Sequence, residues 1–178
     1  QGSNYILATT SSTDGNVTVY ATNQYGNSGT QSIAITTIEA ITTFPDISDF
    51  EDEVQHSTVG SSTNFFFNTT GWRNYNVGDD GDWRADRGGT GSTTTGPGDG
   101  SASGQSDHTP GTSVGFYLYF ESSTPNYPNV NAYLLTPIFD LTSNSYPIME
   151  FWYNMYGADM GTLKMQASID GGNTWSLN

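Results

Sequence analysis

Acidic side chains dominate the groups in this sequence with chemistry to offer. Eighteen Asp and Glu stand against four Lys and Arg, for a formal net charge of −14. The densest run, Asp79-Asp80-Gly81-Asp82 with Asp86 close behind, resembles a calcium loop superficially. It lacks the bidentate Glu and the twelve-residue spacing of an EF-hand, so it reads as a turn. Nucleophilic chemistry has little to work with. The two histidines, His56 and His108, belong to no His-Glu-x-x-His pattern, and no Gly-x-Ser-x-Gly elbow occurs. Two carboxylates suffice for a glycosidase, but nothing marks out a pair. Lys164 is the sole lysine, which leaves an intramolecular isopeptide staple one donor. Exposed rings stack on sugar faces, and Trp72, Trp83 and Tyr127 are the candidates, Tyr127 within the predicted loop tip Asn126-Tyr127-Pro128-Asn129. The sequence predicts a protein that is not an enzyme.

The charge balance narrows the partners. Phosphate recognition requires clustered Lys and Arg, and no basic residue precedes Arg73. Nucleic acid and anionic membrane are therefore disfavoured, and no run approaches the roughly 20 apolar residues of a membrane span. Cysteine is absent, which removes disulfides and thiolate chemistry together. Four Trp, eleven Tyr and nine Phe argue for a folded chain with an aromatic-heavy core.

Two textures position these residues. Residues 1–43 contain no proline and alternate with a period of two. Val17, Val19 and Ala21 form one such series and Ile33 and Ile35 another, with a turn-rich connector at Asn23–Gly29 and a further short run at Tyr5-Ile6-Leu7. The pattern looks like the closing hairpin of a PKD or immunoglobulin-like sandwich, whose complete form needs about 100 residues, so the chain is expected to begin inside a domain. Thr42–Ile47 reads as a linker. Strand-like runs follow at Asn64–Phe67, Asp82–Asp86, Val114–Glu121, Ala132–Thr136, Ile148–Tyr156 and Gly161–Ile169, with a long Gly/Ser/Thr tract between Arg87 and Gly115. The aromatic run Met149–Tyr156 fits a central strand covered on both sides. No window carries a helical period, so the fold class is all-β.

The order of motifs in residues 44–178 resembles a MAM domain, the extracellular module named after meprin, A-5 protein and receptor phosphatase mu. The fragments are Asp49-Phe50-Glu51, Gly71-Trp72, Asp82-Trp83, Gly96-Pro97, Ser106-Asp107-His108-Thr109, Gly115–Glu121, Ala132–Pro137, Phe151–Gly157 and Gly161-Thr162-Leu163. Animal members carry cysteines near the places held here by Ser48, Thr70 and Ile148, so the likeness is to cysteine-free bacterial versions. It implies a two-sheet jelly-roll sandwich, preceded by the immunoglobulin/PKD-like strands. Because the family fold closes with further strands, the resemblance implies a jelly roll incomplete at Asn178. The Asp-box-like Ser168–Trp175 is read as a hairpin turn.

By resemblance, Asp49, Glu51 and Asp107 occupy acidic motif positions near which family members hold calcium or sodium. An ion there would pin the Gly/Ser/Thr tract against the first strand, offsetting its ordering entropy. The implied function is a non-catalytic adhesion or binding module of a larger secreted or cell-surface protein. Its partner would be a protein or glycan at a cell surface, or the rest of the parent polypeptide. The alternative is a carbohydrate-binding module that targets an attached hydrolase or protease to polysaccharide.

Overall fold

A computed structural model describes residues 15–19, 22–23, 25–27, 29, 31–35, 38–55, 65–75, 78–90, 96–98, 106–122, 124, 126, 128–158 and 160–177. The chain divides into two compact units, Gln1–Glu39 and Ala40–Asn178. Among the described residues there is no helix, and all named strands pair antiparallel, so the all-β class holds.

In the first unit, β1 (Gly15–Val19) pairs with β4 (Gln31–Ile35) in a register that sets Val17 opposite Ile33. Between them β2 (Thr22–Asn23) and β3 (Gly26–Asn27) continue the hairpin, with Asn23 opposite Gly26 and Tyr25 at the turn. The alternating series thus pair with each other, and the Asn/Gly connector makes the reversal. Tyr5-Ile6-Leu7 lies outside the described residues.

Among the described residues, three ribbons make up the second unit's ladders. The short β5 (Arg73–Asn74) pairs with β8 (Leu134–Leu135). Tyr75 N–H to Tyr133 C=O at 3.1 Å and Asp80 N–H to Asn131 C=O at 2.8 Å continue that ribbon. The second ribbon, β6 (Arg84–Arg87) against β7 (Phe116–Tyr119), sets Asp86 opposite Tyr117. Asn74 joins the two. Its side-chain amide donates to the carbonyls of Phe65 (3.2 Å) and Trp83 (3.0 Å) and accepts the Trp83 N–H (2.9 Å), doing with one side chain what a strand neighbour does with its backbone. A parallel bridge, Ile41 with Phe139, ties the start of the unit to its later half.

The third ribbon, β9 (Gln166–Ala167) with β10 (Ser176–Leu177), closes over the Ser168–Trp175 turn. Asp170 organises that turn by accepting the Thr174 hydroxyl at 2.6 Å, the Thr174 N–H at 2.9 Å and the Ser168 hydroxyl at 2.8 Å. The same bonds, Thr174's hydroxyl first, hold its carboxyl down at about 2. The hairpin-turn reading of this motif agrees with the geometry.

The core differs from expectation. Among the described residues its buried apolar members are Phe65, Ala85 and Tyr119, and they are outnumbered by buried Glu53, Asp82, Arg84, Asp86, Asp107 and Asn126. The run Met149–Tyr156, expected to be a covered central strand, forms no ladder, and all its residues are exposed. Alternation marks a segment suited to a sheet; cover depends on what packs against it, and no described segment does so on both sides. Asn64 is outside the described residues, and Phe65–Phe67 belong to no ladder.

Candidate functional site

Asp107 sits at the end of the Gly/Ser/Thr tract and folds its own loop around its carboxylate. Oδ1 accepts the N–H groups of Gly111 and Thr112, each at 3.0 Å, while Asp107's own N–H reaches the Thr112 carbonyl at 3.3 Å. Gly111 takes a positive φ of 81°, which glycine adopts without strain. The hydroxyl and carbonyl of Thr112 then receive Gly115 N–H, at 3.2 and 3.3 Å. Gly115 is pressed so closely against the Asp107 carboxyl that a Cβ there would overlap Cγ and both oxygens. The second oxygen, Oδ2, is buried and has no hydrogen-bond partner. Such a carboxylate oxygen is costly unless a positive group faces it.

One residue along, Glu51 reaches the same stretch of chain. Its Oε1 accepts Phe116 N–H at 2.7 Å, across 65 residues of sequence. Glu51 and Asp107 thus converge on consecutive residues, Phe116 and Gly115, where β7 begins. Asp49 is used differently: its Oδ1 accepts Glu51 N–H at 3.3 Å and so shapes the turn that presents Glu51. The Asp49 side also borders an open depression of about 430 Å³, lined among others by Asp46, Ser48, Asp52, Thr69 and Thr70. Among the described residues, no three His, Asp or Glu side chains form a group able to hold a metal ion. Of the three acids named from the sequence, Glu51 and Asp107 lie against Phe116 and Gly115, and Asp49 shapes the turn before Glu51.

Sequence reasoning missed Glu53, which is buried two residues beyond Glu51. It accepts Asn68 N–H at 3.1 Å on one oxygen and Thr69 N–H at 2.8 Å on the other. Only its place in a dense acidic run hinted at it. Asp82 likewise accepts Phe65 N–H at 2.7 Å, and Asp86 accepts Gln55 Nε2 and Arg87 N–H, each at 2.8 Å. Each buried carboxylate answers a donor from a distant or turning segment, which is what allows it to be buried.

The turn at 79–82 is built on Asn131. Asp80 accepts that residue's N–H at 2.9 Å and gives its own N–H to the same residue's carbonyl. Burial, and then the neighbouring charges of Asp82 and Asp80, push the Asp79 carboxyl above the ordinary carboxylate range. Burial, with Asp86 adding to it, also raises the phenols of Tyr117 and Tyr119, and the Tyr117 hydroxyl donates to Gly88 C=O at 2.8 Å.

The aromatic candidates divide. Trp72 donates its indole N–H to Ser48 Oγ at 2.9 Å and meets Phe50 edge-on at 5.1 Å, with Phe50 held at φ 63°. Trp83 donates to Ala132 C=O at 3.3 Å and lies 6.3 Å from the Phe120 ring. Both are half-buried and give their polar edge to the protein. Tyr127 lies outside the described residues, and its neighbour Asn126 is buried rather than at an exposed tip, giving its amide to Glu121 C=O at 3.0 Å. Trp152, which sequence reasoning placed inside, is exposed and stacks on His108 with ring centroids 3.7 Å apart and planes 11° from parallel.

Residues 63–177 match the family model "MAM domain, meprin/A5/mu". Among curated proteins, the chain is 34% identical over 71 residues to MAM domain-containing glycosylphosphatidylinositol anchor protein 2 of Mus musculus, covering 36% of this chain and 8% of that protein. It is 32% identical over 59 residues to anchor protein 1 of Gallus gallus, covering 33% of this chain and 6% of the relative. The chain therefore spans less than a tenth of the relatives it matches. No solved structure matches it.

Proposed function

The chain belongs to the MAM domain family, and from that premise we propose that it is a non-catalytic adhesion module of a larger extracellular protein, braced by a cation at Asp107 and Glu51. The observation that carries the reading is the use made of the acids. Glu51, Glu53, Asp82 and Asp86 each accept a hydrogen bond from another part of the chain, and Asp107 accepts two from its own loop, so the acids hold loops in place instead of meeting around a reacting centre. Such an arrangement suits a surface that presents loops. The relatives' names, which carry a glycosylphosphatidylinositol anchor, favour the outside of a cell. The hairpin in Gln1–Glu39 supports reading that unit as the end of an immunoglobulin/PKD-like sandwich.

The cation reading rests on Asp107 Oδ2, a buried oxygen with no donor. Calcium takes six to eight oxygens, so Asp107 and Glu51 would be joined by backbone carbonyls and water; sodium is the alternative. The ion would supply charge neutralisation, and the chain's own residues would supply the rest: Thr112 closes the loop, and Glu51 fixes it to β7. Calcium should raise the melting temperature relative to chelator, and Asp107→Asn should remove the difference. Equal melting in calcium, in sodium and in chelator refutes the ion.

Adhesion is tested with beads coated with the chain. They should adhere to intact cells, and protease treatment of the cells should abolish this while glycosidase treatment does not. The reverse pattern transfers the function to glycan binding, and absence of adhesion overturns both.

A further inference from the structure

From Pro147 to Tyr156 the backbone runs without turn or bend, so successive side chains leave opposite faces. One face is Met149, Phe151, Tyr153 and Met155, apolar throughout, with the Phe151 and Tyr153 rings 6.2 Å apart. The other sets Glu150 and Asn154 on either side of Trp152, with Ile148 and Tyr156 beyond them. An apolar face gains from a second layer and a mixed face from water, so the Trp152 face is the outer one. Further strands paired along the edges of the run would lie in its plane and leave that face open. The indole is 75% exposed, yet it is held. His108, at the end of the Gly/Ser/Thr tract, stacks on it with ring centroids 3.7 Å apart and planes 11° from parallel, and the imidazole Nδ1 is 2.9 Å from the Thr109 hydroxyl. A ring braced on one side offers its other side with less ordering left to do on binding.

We propose that Trp152, Glu150 and Asn154 form a receptor for an arginine side chain of a partner protein, an inference that rests on the adhesion reading and names the partner's chemistry. A guanidinium is planar and lies flat on an indole, as the imidazole of His108 does on the opposite side. Glu150 and Asn154 stand about 7 Å to either side along the strand, within reach of the edge of a stacked guanidinium. The Glu150 carboxylate can accept two parallel N–H groups and the Asn154 amide oxygen another. Neither side chain makes a hydrogen bond to another described residue. A lysine ammonium has no flat face and gains less from the ring. A sugar ring would also lie on the indole, but a neutral ring gains nothing from the charge of the chain. That charge, −14, draws in basic partners. The chain's own arginines are engaged elsewhere. Arg84 is buried, Arg87 lies 5.5 Å from the centre of the Phe116 ring and donates to Gln55, and Arg73 donates to Gly71 C=O. The arginine therefore comes from another polypeptide.

The probes are a blocked Gly/Ser peptide carrying spaced arginines and its counterpart of equal charge with lysines. Anisotropy of the dye-labelled peptides gives the affinities, and the Trp152 indole N–H resonance reports the place of binding. The arginine peptide should bind about 2- to 5-fold more tightly than the lysine peptide and move the Trp152 signal. Trp152→Ala should abolish the preference, and Glu150→Gln should weaken the arginine peptide by about 2- to 5-fold. Both positions are exposed, so the urea midpoint should stay where it is. Equal affinity for the two peptides, or a preference that survives Trp152→Ala, marks diffuse attraction between charges and overturns the receptor. A Trp152 signal that moves with a neutral oligosaccharide and not with the arginine peptide overturns it in favour of a sugar site. Beads carrying Trp152→Ala that adhere to cells as well as the parent also overturn it, while leaving the adhesion reading in place. Parent beads that do not adhere remove the adhesion reading, and the peptide comparison then still decides the receptor.

Discussion

Replacing Gly115 with alanine presses a methyl group into the Asp107 carboxyl, because the three atoms nearest that methyl are Asp107 Cγ and its two oxygens. Gly115 has no positive φ, so the cost is steric and not a matter of backbone strain. Overpacking alone costs about 1–3 kcal/mol. Displacing the carboxylate also weakens its bonds from Gly111 and Thr112, each worth about 1.5–3 kcal/mol to a charged acceptor. Because Asp107 is buried, solvent does little to replace them, and a loss of about 3 kcal/mol is expected. Urea unfolding at constant slope measures it. The decisive comparison is the double variant. Asp107→Ala alone frees two N–H groups and removes the obstacle, so adding Gly115→Ala to it should cost almost nothing. A Gly115→Ala variant within about 0.5 kcal/mol of the parent refutes the contact, and additivity of the two changes refutes the coupling.

The other expectations follow from single side chains with several bonds. Glu53→Ala leaves the Asn68 and Thr69 N–H groups without their acceptor and should cost about 2–4 kcal/mol in urea unfolding, with Glu53→Gln recovering part of it. Asn74→Asp keeps an acceptor for Trp83 N–H but turns a carboxylate on the carbonyls of Phe65 and Trp83. It should cost about 2–4 kcal/mol and loosen the junction of β5 and β6, read as faster amide exchange at Trp83. Tyr117 and Tyr119 have phenols raised above the ordinary value of 10.0. Their contribution is intact below pH 10 and is lost as pH climbs above it, so the melting temperature should fall there, and less steeply in Tyr117→Phe.

What could be read from the sequence was local. Strand alternation around Val17 and Ile33, the Asn/Gly reversal between them and the Asp170 turn each depend on neighbours a few residues away, and each took the expected form. The residue types of Asp49, Glu51 and Asp107 suggest a ligand set, whereas what the geometry displays is their hydrogen bonding. Glu51 approaches Phe116 and Asp107 its neighbour Gly115, but nothing in the spelling of Asp49-Phe50-Glu51 tells that Glu51 bonds an amide 65 residues away. The aromatic run at 148–156 marks the opposite limit. Its composition specifies a strand that gains by being covered, and the identity of the cover is a tertiary fact that alternation cannot encode.

The surplus of acid and the absence of cysteine have one physical explanation in common. Near two places where the resembled animal domains carry cysteines, Ser48 and Thr70, this chain instead bonds Ser48 Oγ to the Trp72 indole. Around it, carboxylates make the long-range ties: Glu51 to Phe116, Glu53 to Asn68 and Thr69, Asp82 to Phe65, Asp86 to Gln55. A disulfide contributes about 2–4 kcal/mol by restricting the unfolded chain. One bond to a charged acceptor gives about 1.5–3 kcal/mol in the folded state, so two of them do the work of one bridge. The two kinds of tie fail differently. A disulfide yields to reductant at any pH, whereas these ties are indifferent to reductant and need their carboxylates ionised. A chain held this way keeps these ties in reducing and in oxidising surroundings alike, and its negative charge is in part the chemistry that holds its loops.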